Sequence, residues 1–276
     1  MQVCATLSAA ALSVLGLSPA GAEEAAGPTA MVEDPCAGVV DHPFDASFRP
    51  MLEPGAHFTP PPADPAAAKA MADQRARDWA NLCRYRAADK AQAAAAKAVF
   101  MGDSITELWA IADPALFSSG VVGRGISGQT SPQMLLRFQA DVVALHPRVV
   151  HILAGTNDIA GNTGPTSEED FERNVASMVE IAQAHGIRVL LGSIPPMASL
   201  GWQPQYRPAG EVRRLNSWLQ AYAARSGATY VDYYSRLATP DGAFRPELSN
   251  DGVHPNLVGY AIMREVAERA IGAAAP

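Results

Sequence analysis

Five short apolar runs, at residues 98–101, 121–124, 149–153, 189–192 and 229–231, recur from residue 98 onward, separated by longer amphipathic stretches. The middle one, Val149-Val150-His151-Ile152-Leu153, is a near-continuous apolar run, the mark of a strand buried on both faces. Helical spacing appears between the runs at 134–145, at 171–185 (Phe171, Val175, Met178, Val179 and Ala182 on one face) and at 212–225 (Val212, Leu215, Leu219 and Tyr222). A last helix is expected over 257–271. Strands buried on both faces need helices on both, and parallel neighbours need a crossover long enough to hold a helix. The pattern predicts a three-layer α/β/α fold around a doubly wound, flavodoxin-like parallel sheet of five strands. At 276 residues, with 48% hydrophobic and 18% charged side chains, the chain is long enough for one sizeable core of this kind.

Such a sheet binds ligands outside the carboxyl ends of its strands. The first three runs each lead into a polar, glycine-containing turn: Gly102-Asp103-Ser104, Gly125-Ile126-Ser127-Gly128-Gln129-Thr130, and Gly155-Thr156-Asn157-Asp158. A fourth segment, Asp251-Gly252-Val253-His254-Pro255, precedes the last helix. Taken singly, each has a bland reading: Ser104 as a helix N-cap, Asn157 and Asp251 as turn residues, His254 as a neighbour of a helix start. Taken together, they fill the roles of acyl transfer. Ser104 is the candidate nucleophile, its own N–H facing an anion from a helix start. His254 is the candidate base, and Asp251, three residues earlier, is placed to hold the other ring nitrogen. Gly128 presents a backbone N–H with no side chain in the way, and Asn157 a side-chain N–H, so Ser104, Gly128 and Asn157 form the expected oxyanion hole.

These four blocks, GDSI at 102–105, GRGISGQT at 123–130, GTND at 155–158 and DGVHP at 251–255, resemble those of the SGNH hydrolases, also called GDSL esterases or lipases. The family's four name-giving residues map to Ser104, Gly128, Asn157 and His254, and its Asp-x-x-His pair to Asp251. The resemblance covers roughly residues 97–272. Between the blocks the chain is similar to the platelet-activating-factor acetylhydrolase-like and lysophospholipase-like branch. It implies a serine ester hydrolase with no cofactor or metal.

Asp103 and Asp158 invite a reading as a carboxylate pair for metal or acid–base work, but bracing of their turns through backbone hydrogen bonds is the preferred one. His151, inside a strand, and His146, before a proline, read as structural. Arg124 and Gln129 flank the glycine block, with substrate contact and turn packing as equal alternatives.

Upstream, residues 1–22 carry no charge, hold an apolar run and end Ala20-Gly21-Ala22, which reads as a signal peptide and implies a periplasmic or extracellular protein. The run is too short and interrupted for a transmembrane helix, so no stable membrane insertion is expected. Cleavage after Ala22 leaves Cys36 and Cys83, a pairable number in an oxidising compartment, and a Cys36–Cys83 disulfide is expected. Residues 23–65, rich in Pro, Gly and acidic side chains, read as an extended arm, and 66–96 as an Ala-rich helix. The domain organisation expected is thus 1–22 signal, 23–96 arm and helix, 97–276 hydrolase domain. A net charge of −7 without a Lys/Arg cluster excludes nucleic acid as a natural partner.

The segment 194–210 follows the fourth strand and carries Met197, Trp202, Tyr206 and Arg207, with Trp202 and Tyr206 as candidate substrate contacts on a pocket rim. The alternative is that they pack the loop down. With no long hydrophobic insertion, a short acyl group on a carbohydrate or small ester is the expected substrate. A lysophospholipase or thioesterase on the same machinery is the runner-up, and a non-catalytic glycan-binding protein a third reading.

Overall fold

In the computed structural model, the described residues are 34–37, 39, 44–57, 65–92, 94–118, 120–201 and 203–274. The expected signal segment, most of the arm and Trp202 lie outside them. Two compact units divide the chain at Ala37/Gly38, and the second, Gly38–Pro276, holds everything that follows except Cys36.

The five apolar runs all form strands: β1 (Ala98–Gly102), β2 (Val121–Gly125), β3 (Val149–Leu153), β4 (Arg188–Gly192) and β5 (Thr229–Val231). They pair in parallel in the order β2-β1-β3-β4-β5, the flavodoxin-like winding. Alternate residues of each strand feed opposite cores. Val99 and Met101 of β1, with Val150 and Ile152 of β3, pack under α5 (Ser131–Asp141), α7 (Glu168–Ala184) and α8 (Ala209–Ser226). Ala98 and Phe100, with Val149 and Leu153, face α3 (Ser104–Ala112), α4 (Pro114–Phe117), α9 (Tyr234–Leu237) and α10 (Leu257–Ala274). Every residue of β1 and β3 is buried, which explains the missing alternation in the sequence.

Where one helix was expected over 66–96, the chain forms two, α1 (Pro65–Arg77) and α2 (Arg86–Ala91). The break has a local cause: the Asp78 carboxylate accepts from the N–H groups of Leu82 and Cys83, and Asn81 turns into the left-handed region at φ 56°. The remaining short helix, α6 (Thr156–Ala160), follows β3 directly. Cys36 and Cys83 are both disulfide-bonded. Among the described residues, no helix is long and apolar enough to cross a membrane.

β1 turns outward to β2 on one side, and the chain then returns to lay β3 on the other. The crevice at this reversal lies beyond the carboxyl ends of β1 and β3.

Candidate active site

The turn out of β1 is built for close packing. A Cβ on Gly102 would lie 2.0 Å from Thr106 Oγ1, and one on Gly125, at the end of β2, 2.2 Å from the Glu107 backbone nitrogen. Only glycine lets the first turn of α3 sit on the strand ends. Asp103 caps that helix, its Oδ1 accepting from the Ile105 N–H at 2.9 Å, and Ser104 occupies the first helical position.

Ser104 Oγ lies 2.8 Å from His254 Nε2, and His254 Nδ1 lies 2.7 Å from Asp251 Oδ2. A carboxylate only accepts, so Nδ1 carries the proton and Nε2 is left free to take the one on Ser104. The Asp251 turn is fixed by its own backbone, since Oδ1 accepts from the N–H groups of Val253 (2.8 Å) and His254 (2.7 Å). Tyr260, on α10 just beyond, donates its hydroxyl to the Ile105 carbonyl at 2.8 Å, tying the histidine-bearing end of the chain to α3.

Burial opposes the charge on Asp251, but the hydrogen bonds and charge of His254 outweigh it and hold the carboxyl at about 2, even with 49% of the side chain open to solvent. For His254 burial favours the neutral ring; the hydrogen bond and charge of Asp251, with the charge of Asp103, win and raise it above the ordinary imidazole value. Asp103 itself is pushed up to about 6, mainly by burial.

Gly128 stands at φ +77°, and no atom of the described residues lies within 4 Å of where a Cβ would be. Among the described residues, the N–H groups of Ser104 and Gly128 donate to no acceptor. Asn157 differs from expectation in detail. It comes to the same place, but its Nδ2 already donates to Asp103 Oδ2 at 3.2 Å and to the Gln129 carbonyl at 3.0 Å, while Asn162 donates to its Oδ1. The bond to Asp103 is the longer of the two and the one an incoming oxyanion would replace.

Asp158 braces a turn as expected, both its oxygens accepting from the Ser131 N–H at 3.0 Å. His151 is fully buried, stacked on Phe100 and hydrogen-bonded to Tyr233, and burial drives it down to about 3, so it stays a neutral structural group. His146 is the left-handed residue closing a short 3-10 turn. Arg124 pairs with Asp89 and lies over the Tyr85 ring, and Gln129 donates to the Ala80 carbonyl, so both serve packing of the turn. Met197 is buried in the core rather than on a rim, because the loop after β4 folds inward there. Tyr206 is half-buried and lines a cavity of about 230 Å³ with Asp158, Phe171, Glu211 and Arg214. Arg207 donates to the carbonyls of Pro204 and Tyr206 and holds the loop down.

Sequence reading missed two residues that hold the site. Arg137, fully buried on α5, donates to Gln129 Oε1 (2.6 Å), Asp141 Oδ2 (2.8 Å), and the Gly102 and Arg124 carbonyls (2.9 and 2.8 Å). It thereby ties the ends of β1 and β2 to the glycine block. The signal was there: arginine on the face shared by Met134 and Phe138, with an acid four residues on. Glu107, one turn after Ser104, accepts from Ser127 and Arg84.

Residues 100–262 match the GDSL-like lipase/acylhydrolase family model. The chain belongs to that family. This GDSL-like acylhydrolase is accordingly a carboxylic ester hydrolase by kinship. It is 30% identical over 187 residues to the esterase TesA of Pseudomonas aeruginosa, covering 63% of this chain and 87% of that one. A GDSL-like lipase from Bacteroides thetaiotaomicron superposes with a TM-score of 0.69 at 42% identity, over 71% of this chain and all of that one (100%). Acetylxylan esterase Axe2 of Geobacillus stearothermophilus shares the fold, with a TM-score of 0.51 at 21% identity, over 65% of this chain and 95% of that one. Over 80 residues the acylhydrolase is 35% identical to lipoprotein YqeF of Bacillus subtilis, spanning 28% of this chain and only 33% of that protein.

Proposed function

We propose that this chain is an exported serine esterase that removes short acyl groups, acetyl foremost, from a carbohydrate or small ester. The observation that carries it is the unbroken line from Ser104 Oγ through His254 to Asp251, with contacts of 2.8 and 2.7 Å, together with the N–H groups of Ser104 and Gly128, which have no acceptor among the described residues. Ser104 attacks the ester carbonyl as His254 Nε2 takes its proton, and the charge that develops on oxygen is met by the N–H groups of Ser104 and Gly128 and by Asn157 Nδ2. His254 then hands the proton to the departing alcohol. Water, activated by the same nitrogen, attacks the acyl-Ser104 carbonyl, freeing the acid and returning the proton to Ser104.

The short-acyl reading draws on the sequence, which carries no long hydrophobic insertion to hold a fatty chain; a cavity that Asp158, the neighbour of Asn157, helps to line mixes Glu168, Glu211 and Arg214 with Ile159, Phe171 and Leu215. Tyr206, which lines it with Phe171, is the proposed aromatic substrate contact, and Trp202 a second from its place in the same segment. Export is supported by the disulfide-bonded cysteines and by the likeness to a lipoprotein over part of its length. The organisation into signal, arm and hydrolase domain is part of this reading. A lysophospholipase or thioesterase activity on the same catalytic machinery is the second reading; the likeness to the esterase TesA supports ester hydrolysis in either case.

Hydrolysis of p-nitrophenyl esters from acetate to palmitate separates these. The expected result is fastest turnover of acetate, falling with chain length, and none by Ser104→Ala. Turnover that rises toward palmitate would move the assignment to the second reading.

A further inference from the structure

The family match begins at residue 100, yet the loop that presents Gly128 is gripped from upstream of it. Residues 78–92 run against this loop as a strap. The Tyr85 hydroxyl donates to the Gly125 carbonyl at 2.5 Å. Gln129 Nε2 donates to the Ala80 carbonyl at 2.8 Å, and Gln133 Nε2, at the start of α5, to the Trp79 carbonyl at 2.6 Å. Asp89 pairs with Arg124, whose guanidinium lies over one side of the Tyr85 ring. Burial lifts the Tyr85 phenol to about 12, so it remains a donor at any working pH.

Glu107 connects the strap to the loop from within. Its Oε1 accepts from Arg84 at 3.0 Å and from the Phe44 N–H at 3.2 Å. Its Oε2 accepts from the Ser127 N–H at 2.8 Å and the Ser127 hydroxyl at 2.6 Å. Gly125, Ser127 and Gln129 are thus each tied down, and the untied residue between the last two is Gly128, which faces open space. An anion hole works when its donors are fixed before the charge arrives, and glycine at φ +77° has no side chain to fix itself.

We propose that the strap and Glu107 are positioning elements of the active site: through Ser127 they set the direction of the Gly128 N–H, so the catalytic unit begins near residue 78 rather than at residue 100. This rests on the serine esterase reading above. In Glu107→Gln one end of the side chain becomes a donor, facing either the Ser127 N–H or Arg84 and the Phe44 N–H, so the link between strap and loop is broken at one end at nearly constant volume.

The test is steady-state hydrolysis of p-nitrophenyl acetate by the full chain and by Glu107→Gln, Ser127→Ala, Tyr85→Phe and Ser104→Ala. Thermal midpoints and inhibition by a boronic acid, a mimic of the tetrahedral intermediate, are measured on the same samples. The expected result for Glu107→Gln is a kcat lowered by about 10- to 100-fold, less than the roughly 100- to 1,000-fold lost when an oxyanion donor is removed outright because the Gly128 N–H is misdirected rather than deleted, with KM within about threefold and boronate affinity falling in step with kcat. Ser127→Ala and Tyr85→Phe follow in the same direction with smaller losses. A merely structural role would lower the midpoint while leaving kcat and boronate affinity intact at temperatures where the protein is folded. If Glu107→Gln does not fold, Ser127→Ala and Tyr85→Phe decide on the same criteria. Variants that keep kcat within twofold, or whose loss lies in KM alone, overturn the proposal while an inactive Ser104→Ala leaves the esterase reading standing. Turnover by Ser104→Ala would remove that reading and this proposal with it.

Discussion

Replacing Arg137 by methionine is expected to destabilise the protein by about 3–5 kcal/mol, the loss usual when one partner of a buried ion pair is removed. Methionine restores most of the aliphatic volume and supplies no donor. The Asp141 carboxyl, itself 1% exposed, keeps its place without its cation, and Gln129 Oε1 loses its 2.6 Å donor. For a domain of this size each kcal/mol shifts the midpoint by roughly 2–4 °C, so a fall of about 10 °C is expected. Burial already raises Asp141, against the pull of Arg137. A carboxyl raised in the folded state penalises folding only above its unfolded pKa of about 3.9, and the penalty grows as pH rises toward the folded value. Without Arg137 that folded value moves higher, so the variant loses more stability at pH 8 than at pH 5. Urea unfolding at both values measures this, and Arg137→Met/Asp141→Leu should recover about half of the loss. A loss under about 1 kcal/mol at pH 8, or one independent of pH, would show that the buried pair does not carry the strand ends as argued.

Two further outcomes follow from the site. Asp251→Asn removes the hydrogen bond to a carboxylate and the charge that do most to raise His254, leaving the smaller pull of Asp103 against the burial that lowers it, so the acid limb of kcat/KM should move to lower pH. The rate should fall by roughly 100-fold or more with the tautomer no longer held; a pH–rate profile with an unmoved limb would count against the pairing. Gly125→Ala and Gly128→Ala should part ways. The first forces a methyl to 2.2 Å from backbone and costs about 3 kcal/mol of stability, whereas the second meets no atom and costs about 1–2 kcal/mol of left-handed strain, expressed as roughly tenfold in rate. Thermal midpoints and kcat on both variants check this, and equal effects would contradict it.

The strands were legible to within one residue because burial on both faces writes itself as uninterrupted apolar runs, and β3 matched at both ends. The residues brought together at the candidate site were legible because they sit in short polar turns, three at strand ends and one before the last helix, where a few contiguous letters carry the chemistry. Glu107 and Arg137 were not, since their roles depend on distant partners, Ser127 at 20 residues from Glu107 and Gly102 at 35 residues from Arg137, that only the folded sheet brings near. The break between α1 and α2 was hidden for a related reason: alanine-rich composition favours helix throughout, and one aspartate capturing two N–H groups overrides it. Met197 looked like a rim residue because a loop rich in Pro and Gly gives no period from which to read its inward face.

The central claim, that Ser104 is a nucleophile driven by His254, is tested most directly by trapping the covalent intermediate. The protein is treated with a fluorophosphonate and digested, and the adduct is located by mass spectrometry. The account predicts one stoichiometric adduct on Ser104, with labelling slowed in His254→Ala and abolished in Ser104→Ala. An adduct on another residue, or labelling of Ser104 that proceeds as fast without His254, would contradict it.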